Sequence, residues 1–185
     1  MALYIILGIV VLLVILFIVS YNKLVRLRTT RENAFADIDV QLKQRHDLIP
    51  QLVEVVRGYA THEKETLQNV INARNQALQA NTIDEKITAE NKLSGALSGL
   101  RLVFEAYPDL KANQNFLQLQ EEIADVENKL SSVRRYFNMA TREYNNAVQV
   151  FPSNIVAGMT GFRAEKMFNV DSERAAMEKA PEIKF

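Results

Sequence analysis

The stretch "KQRHDLIPQL" contains the residues whose types and spacing could do chemistry, because Arg45, His46 and Asp47 stand close to Pro50. Together their side chains could form a titratable cluster or a partner-binding site. A proline inside a helix also removes one backbone hydrogen bond, at a cost of roughly 3 kcal/mol. The alternative is therefore that His46 and Asp47 satisfy the backbone groups that Pro50 frees. We favour this second interpretation and predict a kink at Pro50.

Metal chemistry requires ligand spacings that this sequence lacks. The "HEKET" stretch places Thr66 where the zinc-protease motif H-E-x-x-H has its second histidine. Neither His46 nor His62 has an acidic residue three positions before it, as a di-iron Glu-x-x-His pair requires. The chain contains no cysteine, which removes thiolate ligands. We therefore expect neither a metal ion nor a cofactor.

Motifs for nucleotide binding and for nucleophilic catalysis are also missing from the sequence. It contains no G-x-x-x-x-G-K, G-x-G-x-x-G or G-x-S-x-G pattern. The 22 basic and 22 acidic residues cancel, so the chain as a whole exerts no electrostatic attraction on nucleic acid. The sequence predicts a non-enzymatic protein, with no catalytic residue and no nucleic-acid partner.

The N-terminal stretch "MALYIILGIVVLLVILFIVSY" carries no charged side chain. As a helix that rises about 1.5 Å per residue, residues 1–21 match the roughly 30 Å hydrocarbon core of a bilayer. A cleaved signal peptide fits less well, because both a basic n-region and an A-x-A cleavage site are missing. We predict a transmembrane anchor over 1–21, with Tyr4 and Tyr21 at the membrane interfaces.

The flanking charges predict how this anchor is oriented. Lys23, Arg26, Arg28 and Arg31 follow the apolar segment, whereas only the α-amino group precedes it. The positive-inside rule then places the N-terminus outside and the C-terminal bulk in the cytoplasm.

Helical periodicity dominates the remaining chain. An apolar seam with alternating steps of three and four predicts a helix over 115–150, with nearly aligned, coiled-coil-like packing. Asn113 or Asn115 can cap the start of this helix. The "TIDE" stretch supplies the capping box Thr82/Glu85, which predicts a helix over 82–106. The connector between them, 107–113, is short, which favours antiparallel neighbours. The seam consists of Phe116, Leu119, Ile123, Val126, Leu130, Val133, Phe137, Ala140, Tyr144, Ala147 and Phe151.

One heptad frame serves both sides of Pro50, which predicts a single kinked helix over 22–80. In the alternative, Asp47 caps a new helix that has Pro50 in its first turn. Arg31 and Arg45 occupy seam positions, and we expect them to carry their charges to the edge of the seam. The predicted fold is all-α: an N-terminal transmembrane helix followed by a long antiparallel helical bundle over 22–170.

The C-terminal part is less regular but too apolar to remain in water. Ile155, Met159, Phe162 and Phe168 either fold back on the bundle, which we favour, or contact the membrane surface. High charge density and Pro181 predict a loosely held tail over 171–185.

Three quoted stretches carry a family resemblance. "DVQLKQRHDLIPQLVEVVRGYATHE", "YPDLKANQNFLQLQEE" and "YNNAVQVFPSNIVAGMTGF" strongly resemble the LemA family of bacterial membrane proteins, with Phe35 where that family is expected to have tryptophan. The resemblance implies an antiparallel bundle on a single-pass anchor in the bacterial inner membrane, with its bulk facing the cytoplasm. It supplies no catalytic residue, and one relative is associated with the magnetosome membrane, which hints at membrane organisation.

These observations predict a membrane-anchored, non-enzymatic scaffold or adaptor. Its expected partners are the lipid bilayer, other membrane or cytoplasmic proteins, and a second copy of the chain in a homo-oligomer. The alternative is a membrane-shaping protein that uses 155–168 as a second bilayer contact. The candidate partner-binding residues are Arg45, His46, Asp47, Pro50, Tyr107, Asp109, Lys111, Asn113 and Phe116.

Overall fold

The structure is a computed structural model and describes residues 1–168. Over this range the regular secondary structure is helical, without a β-strand, which confirms the predicted all-α class. The antiparallel, coiled-coil-like arrangement stays a prediction, and the tail expected at 171–185 lies outside the described residues. The helices are α1 (Ala2–Tyr59), α2 (Lys64–Gln79), α3 (Ile83–Ala106), α4 (Pro108–Lys111), α5 (Gln114–Gln149) and α6 (Ser153–Thr160).

The first helix continues through Pro50, so the chain does not reverse there. The single helix expected over 22–80 is nevertheless interrupted, because α1 ends at Tyr59 and α2 begins at Lys64. Gly58 weakens helix at this point, since glycine loses more backbone entropy than other residues on becoming helical. The heptad pattern of apolar residues continues across the break because both helices bury apolar side chains. The pattern therefore did not indicate that the helix itself is continuous.

The starts of α3 and α5 follow their sequence signals. The Thr82 hydroxyl accepts the Glu85 backbone N–H at 3.2 Å, and the Glu85 carboxylate accepts the Thr82 N–H at 3.1 Å, as a capping box requires. Hydrogen bonding from Thr82, above all from its backbone N–H, favours the charged form of the Glu85 carboxylate. It therefore lowers the pKa of Glu85. At α5 the side-chain Oδ1 of Asn113 accepts the Phe116 backbone N–H at 3.0 Å. Both helices begin within one residue of the predicted positions.

The described chain divides into two compact units. The first comprises Met1–Ile38 and Val133–Met167, and it contains the start of α1, the end of α5 and α6. Its small apolar core brings residues of α1, α5 and α6 together, while Phe35 and Phe137 meet edge to face at 5.3 Å. The buried residues of that core are Leu24, Ala147, Val156 and Ala157.

Arg31 lies inside the first unit, which corrects the expectation that it carries its charge to a seam edge. It is 4 % exposed, lies 3.4 Å from the Glu165 carboxylate and stacks over the Phe137 ring. Asn145 holds the same segment, because its amide exchanges two 2.8 Å hydrogen bonds with the Glu165 backbone. Burial is the main cause that raises the pKa of the Tyr144 hydroxyl, and the negative charge of Glu165 raises it further. These contacts fix the chain that follows α6.

The second unit comprises Asp39–Ser132 together with Phe168 among the described residues. Its apolar core joins the end of α1 to α2, α3, α4 and the start of α5. Phe104 and Phe116 meet edge to face within it, with ring centroids 4.9 Å apart. The core residues with less than 3 % exposure are Ile49, Leu52, Val53, Val56, Ala60, Val70, Leu93, Leu100 and Leu110.

Candidate functional site

The backbone group that Pro50 leaves without a donor is the carbonyl of His46, four residues earlier. The Arg74 side chain from α2 donates its Nε–H to that carbonyl at 2.7 Å. The prediction that His46 and Asp47 satisfy the freed group is therefore wrong, because the donor is the Arg74 side chain. Asp47 is exposed instead. No local pattern in the sequence indicates this role of Arg74, because the contact joins residues 28 positions apart.

Arg45 and His46 belong to a buried ion-pair cluster, here called the Glu90 cluster, which also contains Ser94 and Glu127. The Arg45 guanidinium lies 3.0 Å from one Glu90 oxygen and 2.7 Å from Glu127, and it donates to the Ser94 hydroxyl at 3.1 Å. The other Glu90 oxygen lies 2.6 Å from Nε2 of His46. Both Glu90 oxygens are therefore engaged by residues of α1.

The Glu90 cluster connects α1, α3 and α5 inside the second unit. Glu90 is 1 % exposed, Arg45 4 % and His46 6 %. The expectation that Arg45 carries its charge to the edge of the seam is wrong, because two carboxylates from other helices meet it in the interior. A buried charge is tolerated only when paired and hydrogen-bonded, and such a cluster fixes the register of the helices that contribute to it. Arg45 and His46 are consequently not presented on the surface.

The connector over 107–113 contains the short helix α4. Asp109 and Lys111 are exposed, whereas Tyr107 and Asn113 are half-buried. The Asn113 amide donates to the Tyr59 hydroxyl at 2.8 Å and so links the connector to the end of α1. Phe116, also a candidate for partner binding, is 3 % exposed and belongs to the core. The accessible polar groups of this segment are therefore those of Asp109 and Lys111.

A cavity of about 300 Å³ lies at the break between α1 and α2. Its apolar lining includes Ala60 and Leu67, and Arg57 and Lys64 contribute cationic groups. Sequence reasoning missed this feature because it placed 60–63 inside a continuous helix. Gly58 followed by Thr61 was the available signal, since glycine near a helix end and a capping residue mark a boundary.

The N-terminal part of α1 has the character of a membrane span. It is long and apolar enough to cross a bilayer, and none of its most apolar window is buried by other parts of the protein. Tyr4 is 77 % exposed and Tyr21 is 40 % exposed, as interface anchors must be. Tyr21 also contacts the Phe162 ring edge to face at 5.9 Å, which places the end of α6 beside the end of the apolar segment.

Helix α6 is apolar on both of its sides. Val156 and Ala157 are buried in the first unit, whereas Ile155 and Met159 are 54 % and 72 % exposed. Of the other membrane-contact candidates, Phe162 is half-buried, and Phe168 is 3 % exposed. Phe168 is thus in the interior, and its ring is unavailable to lipid.

Over residues 1–168, no group of three or more His, Cys, Asp or Glu side chains is close enough together to hold a metal ion. His46 lies 2.6 Å from one Glu90 oxygen, and the Arg45 guanidinium lies 3.0 Å from the other.

Fold and surface define an all-α protein with one N-terminal apolar helix and features of membrane association. The sequence profile of the LemA family matches residues 34–185. The chain belongs to the LemA family. The match begins after the apolar segment and reaches the last residue, so the family likeness extends beyond the three stretches that first carried it.

Named relatives share a fifth to a quarter of their residues with the chain. Protein LemA of Metamycoplasma hominis is 27 % identical over 166 residues, which cover 84 % of this chain and 74 % of that protein. Magnetosome protein MamQ of Magnetospirillum gryphiswaldense is 21 % identical over 178 residues, or 82 % of this chain and 65 % of MamQ. Magnetosome protein MamQ 2 of Paramagnetospirillum magneticum is 20 % identical over 185 residues, or 86 % and 68 % respectively. These names describe no enzymatic reaction.

Proposed function

We propose that the chain is a membrane-anchored, non-enzymatic scaffold or adaptor. Residues 1–21 cross the bacterial inner membrane once, and the helices that follow present a polar surface to a partner in the cytoplasm. The partner is another membrane or cytoplasmic protein, or a second copy of the chain.

The exposure of the apolar segment carries this proposal. Between Leu3 and Val19 the large apolar side chains are 36–77 % exposed, and none of them is buried by other parts of the protein. Apolar surface in water costs about 25 cal/mol per Å², so a continuous apolar rod of this length requires a hydrocarbon environment. The cations that follow the segment support an orientation with the later helices in the cytoplasm.

The buried chemistry of the second unit supports a structural role. The Glu90 cluster and the Arg74 contact both use their polar groups to join helices. The titratable groups Glu90 and His46 are therefore not open to a substrate from solvent. The names of the relatives are consistent with a structural role, because they refer to magnetosomes or to the family and describe no catalysis.

The exposed pair Asp109 and Lys111 is the partner surface that we propose, because it carries both signs of charge on the short helix α4. Rim charges of this kind set partner choice and association rate.

The test places p-benzoylphenylalanine at Lys111 in the full chain and irradiates intact cells. We expect a crosslinked adduct of defined mass, whose identity mass spectrometry gives as a second protein or a second copy.

Lys129 provides the matched control for this experiment. It is also an exposed lysine of the second unit, but its charge is paired with Asp125 at 2.7 Å. Crosslinking at Lys111 but not at Lys129 supports the proposed surface. Monomer alone at both positions contradicts it.

A second candidate function is membrane shaping through α6, which one surface feature favours. Ile155 and Met159 are 54 % and 72 % exposed, and their spacing of four residues places them along one face of α6. The contact between Tyr21 and Phe162 brings this helix beside the end of the apolar segment. A short apolar helix at that level can insert its exposed side chains between lipid headgroups.

Tryptophan fluorescence tests the second candidate, because the chain contains no tryptophan of its own. The full chain carrying Met159→Trp is reconstituted in vesicles that contain brominated lipid, and bromine quenches only a ring in contact with acyl chains. Met139→Trp is the matched control, since Met139 is 50 % exposed in the same unit. Quenching at 159 and not at 139 is expected, whereas equal emission with and without brominated lipid at 159 contradicts membrane insertion of α6.

A further inference from the structure

A shallow groove of about 350 Å³ lies on α1 just where the apolar segment ends. Five residues line it, and their spacing of three, four, seven and eight positions places them on one face of the helix. The surface of the groove is almost wholly apolar, so it is formed mainly by the carbon atoms of these side chains. The lining residues are Val19, Asn22, Lys23, Arg26 and Leu27.

The basic residues near this groove differ in whether their charge is neutralised by the protein. Arg28 pairs with Glu32 at 3.0 Å, and the buried Arg31 pairs with Glu165. Lys23 and Arg26 are exposed, and in the described part of the chain no carboxylate pairs with either of them. The two cations in the groove are therefore the ones that remain available to an external anion.

The position of the groove along α1 matches the headgroup layer of a bilayer. At about 1.5 Å per residue, Lys23 and Arg26 lie roughly 4.5 and 9 Å beyond Ser20 along the helix axis. Helical side chains point back toward the N-terminus, which here is the direction of the apolar segment. Since each headgroup layer is about 5–7 Å thick, both long side chains reach the level of the phosphates.

We propose that an anionic phospholipid binds at this groove, with its apolar part on the groove surface and its headgroup phosphate at the charged ends of Lys23 and Arg26. Lys23 and Arg26 contact the phosphate oxygens, the Asn22 amide donates a further hydrogen bond, and Val19 lies beside the first carbons of an acyl chain. Charge-assisted bonds from a guanidinium and an ammonium favour a phosphate whose charge is not cancelled by a choline. The inference rests on the proposed function, because it requires residues 1–21 to lie in the membrane.

Native mass spectrometry of the full chain tests the groove directly. The protein is released from micelles that contain equimolar phosphatidylglycerol and phosphatidylcholine, and the retained lipids are counted. We expect preferential retention of phosphatidylglycerol. The attraction of one basic residue for an anionic surface corresponds to roughly a fivefold gain, so Lys23→Gln/Arg26→Gln is expected to reduce this preference by roughly 25-fold.

Two single variants separate a defined site from a diffuse positive field. Arg26→Gln and Arg28→Gln each remove one cation from the same stretch of α1, but the Arg28 guanidinium already pairs with Glu32. Loss of selectivity with Arg26→Gln alone supports the groove, and equal losses in both variants overturn it. Displacement of the lipid by millimolar inorganic phosphate also overturns it, because the site is then one for a soluble anion.

Membrane insertion is measured separately, as resistance of vesicle-bound protein to extraction with alkaline carbonate. If the wild-type chain is extracted, the proposed anchor fails, and this inference fails with it. If the wild-type chain and Lys23→Gln/Arg26→Gln both resist extraction and retain phosphatidylglycerol equally, only the groove is contradicted.

Discussion

The carbonyl of His46 shows how one residue type creates a requirement that another helix must meet. Pro50 cannot donate to this carbonyl, and the half-buried Arg74 does so at 2.7 Å. The freed acceptor therefore becomes a tertiary contact between α1 and α2 within the second unit. This contact compensates part of the cost of a proline in the interior of a helix.

Removing the Arg74 donor is expected to destabilise the protein in a way that depends on Pro50. Arg74→Met leaves the His46 carbonyl without its partner and should lower the free energy of unfolding by about 1–3 kcal/mol. In a Pro50→Ala background the restored N–H of residue 50 can bond to that carbonyl, so the same change should cost about 1 kcal/mol less. Urea unfolding of the full chain in micelles, followed by far-UV circular dichroism, measures both values.

Arg101→Met is the control for this double-mutant cycle. Arg101 is an exposed arginine of α3, and its replacement should change stability by less than about 0.5 kcal/mol. An equal cost of Arg74→Met with proline and with alanine at position 50 contradicts the role assigned to Arg74.

The Glu90 carboxylate is the central acceptor of its cluster, and its charge should matter for stability. Glu90→Gln removes the main negative partner of the buried Arg45, which typically costs about 3–5 kcal/mol in a buried pair. The lower end of that range is expected, since Glu127 still faces Arg45 at 2.7 Å. The melting temperature of the full chain measures the loss, and Glu105→Gln on the exposed face of α3 is the control. A small effect that is equal in both variants contradicts the assignment.

At the scale of elements, the capping box of α3 predicts a pH dependence. Hydrogen bonds from the Thr82 and Asn81 backbone lower the pKa of Glu85 in the folded state. This stabilisation is fully present above the ordinary glutamate pKa and is lost as the pH falls through the lowered folded value. Glu85→Gln should therefore destabilise the protein at pH 7, and its difference from the wild type should shrink between pH 5 and pH 3.

Unfolding curves at several pH values measure this difference, with Glu105→Gln as an exposed glutamate on the same helix. A difference between Glu85→Gln and the wild type that stays constant from pH 7 to pH 3 is inconsistent with a lowered pKa. The cap itself is tested by Thr82→Ala, for which a loss of about 1 kcal/mol is expected.

The sequence could predict the helices whose caps or apolar patterns depend on residues only a few positions apart. The capping box at Thr82, the Asn113 cap and the apolar run of residues 1–21 each depend on neighbours a few positions apart. The seam of α5 belongs to the same class, since Leu130, Phe137 and Tyr144 are at most 1 % exposed. Periodicity and capping are set by the local chain, so a single sequence contains them.

Contacts between distant residues were beyond the sequence. Arg45 and Glu90 lie 45 positions apart, and nothing local indicates that a seam arginine will meet a buried carboxylate. The break after Tyr59 was missed for a related reason, because the frame of apolar residues continues across it. For the candidate site, the sequence therefore identified Arg45 and His46 but not their partners or their burial.

At the scale of the whole molecule, we propose that the apolar start of α1 lies in the membrane, while buried charges join the helices of the second unit. The first cations after the apolar segment, Lys23 and Arg26, lie at the proposed membrane surface. The partner surface on α4 is proposed to face the cytoplasm. The proposed partner surface on α4 depends on which side of the membrane these helices occupy.

Single-cysteine labelling tests that topology, because the chain has no cysteine of its own. Ala2→Cys and Lys111→Cys each introduce one thiol at an exposed position, and intact spheroplasts are treated with a membrane-impermeant maleimide. We predict labelling at position 2 without permeabilisation and labelling at position 111 only after it. Labelling of Lys111→Cys in intact spheroplasts, with a cytosolic thiol protein unlabelled, contradicts the account.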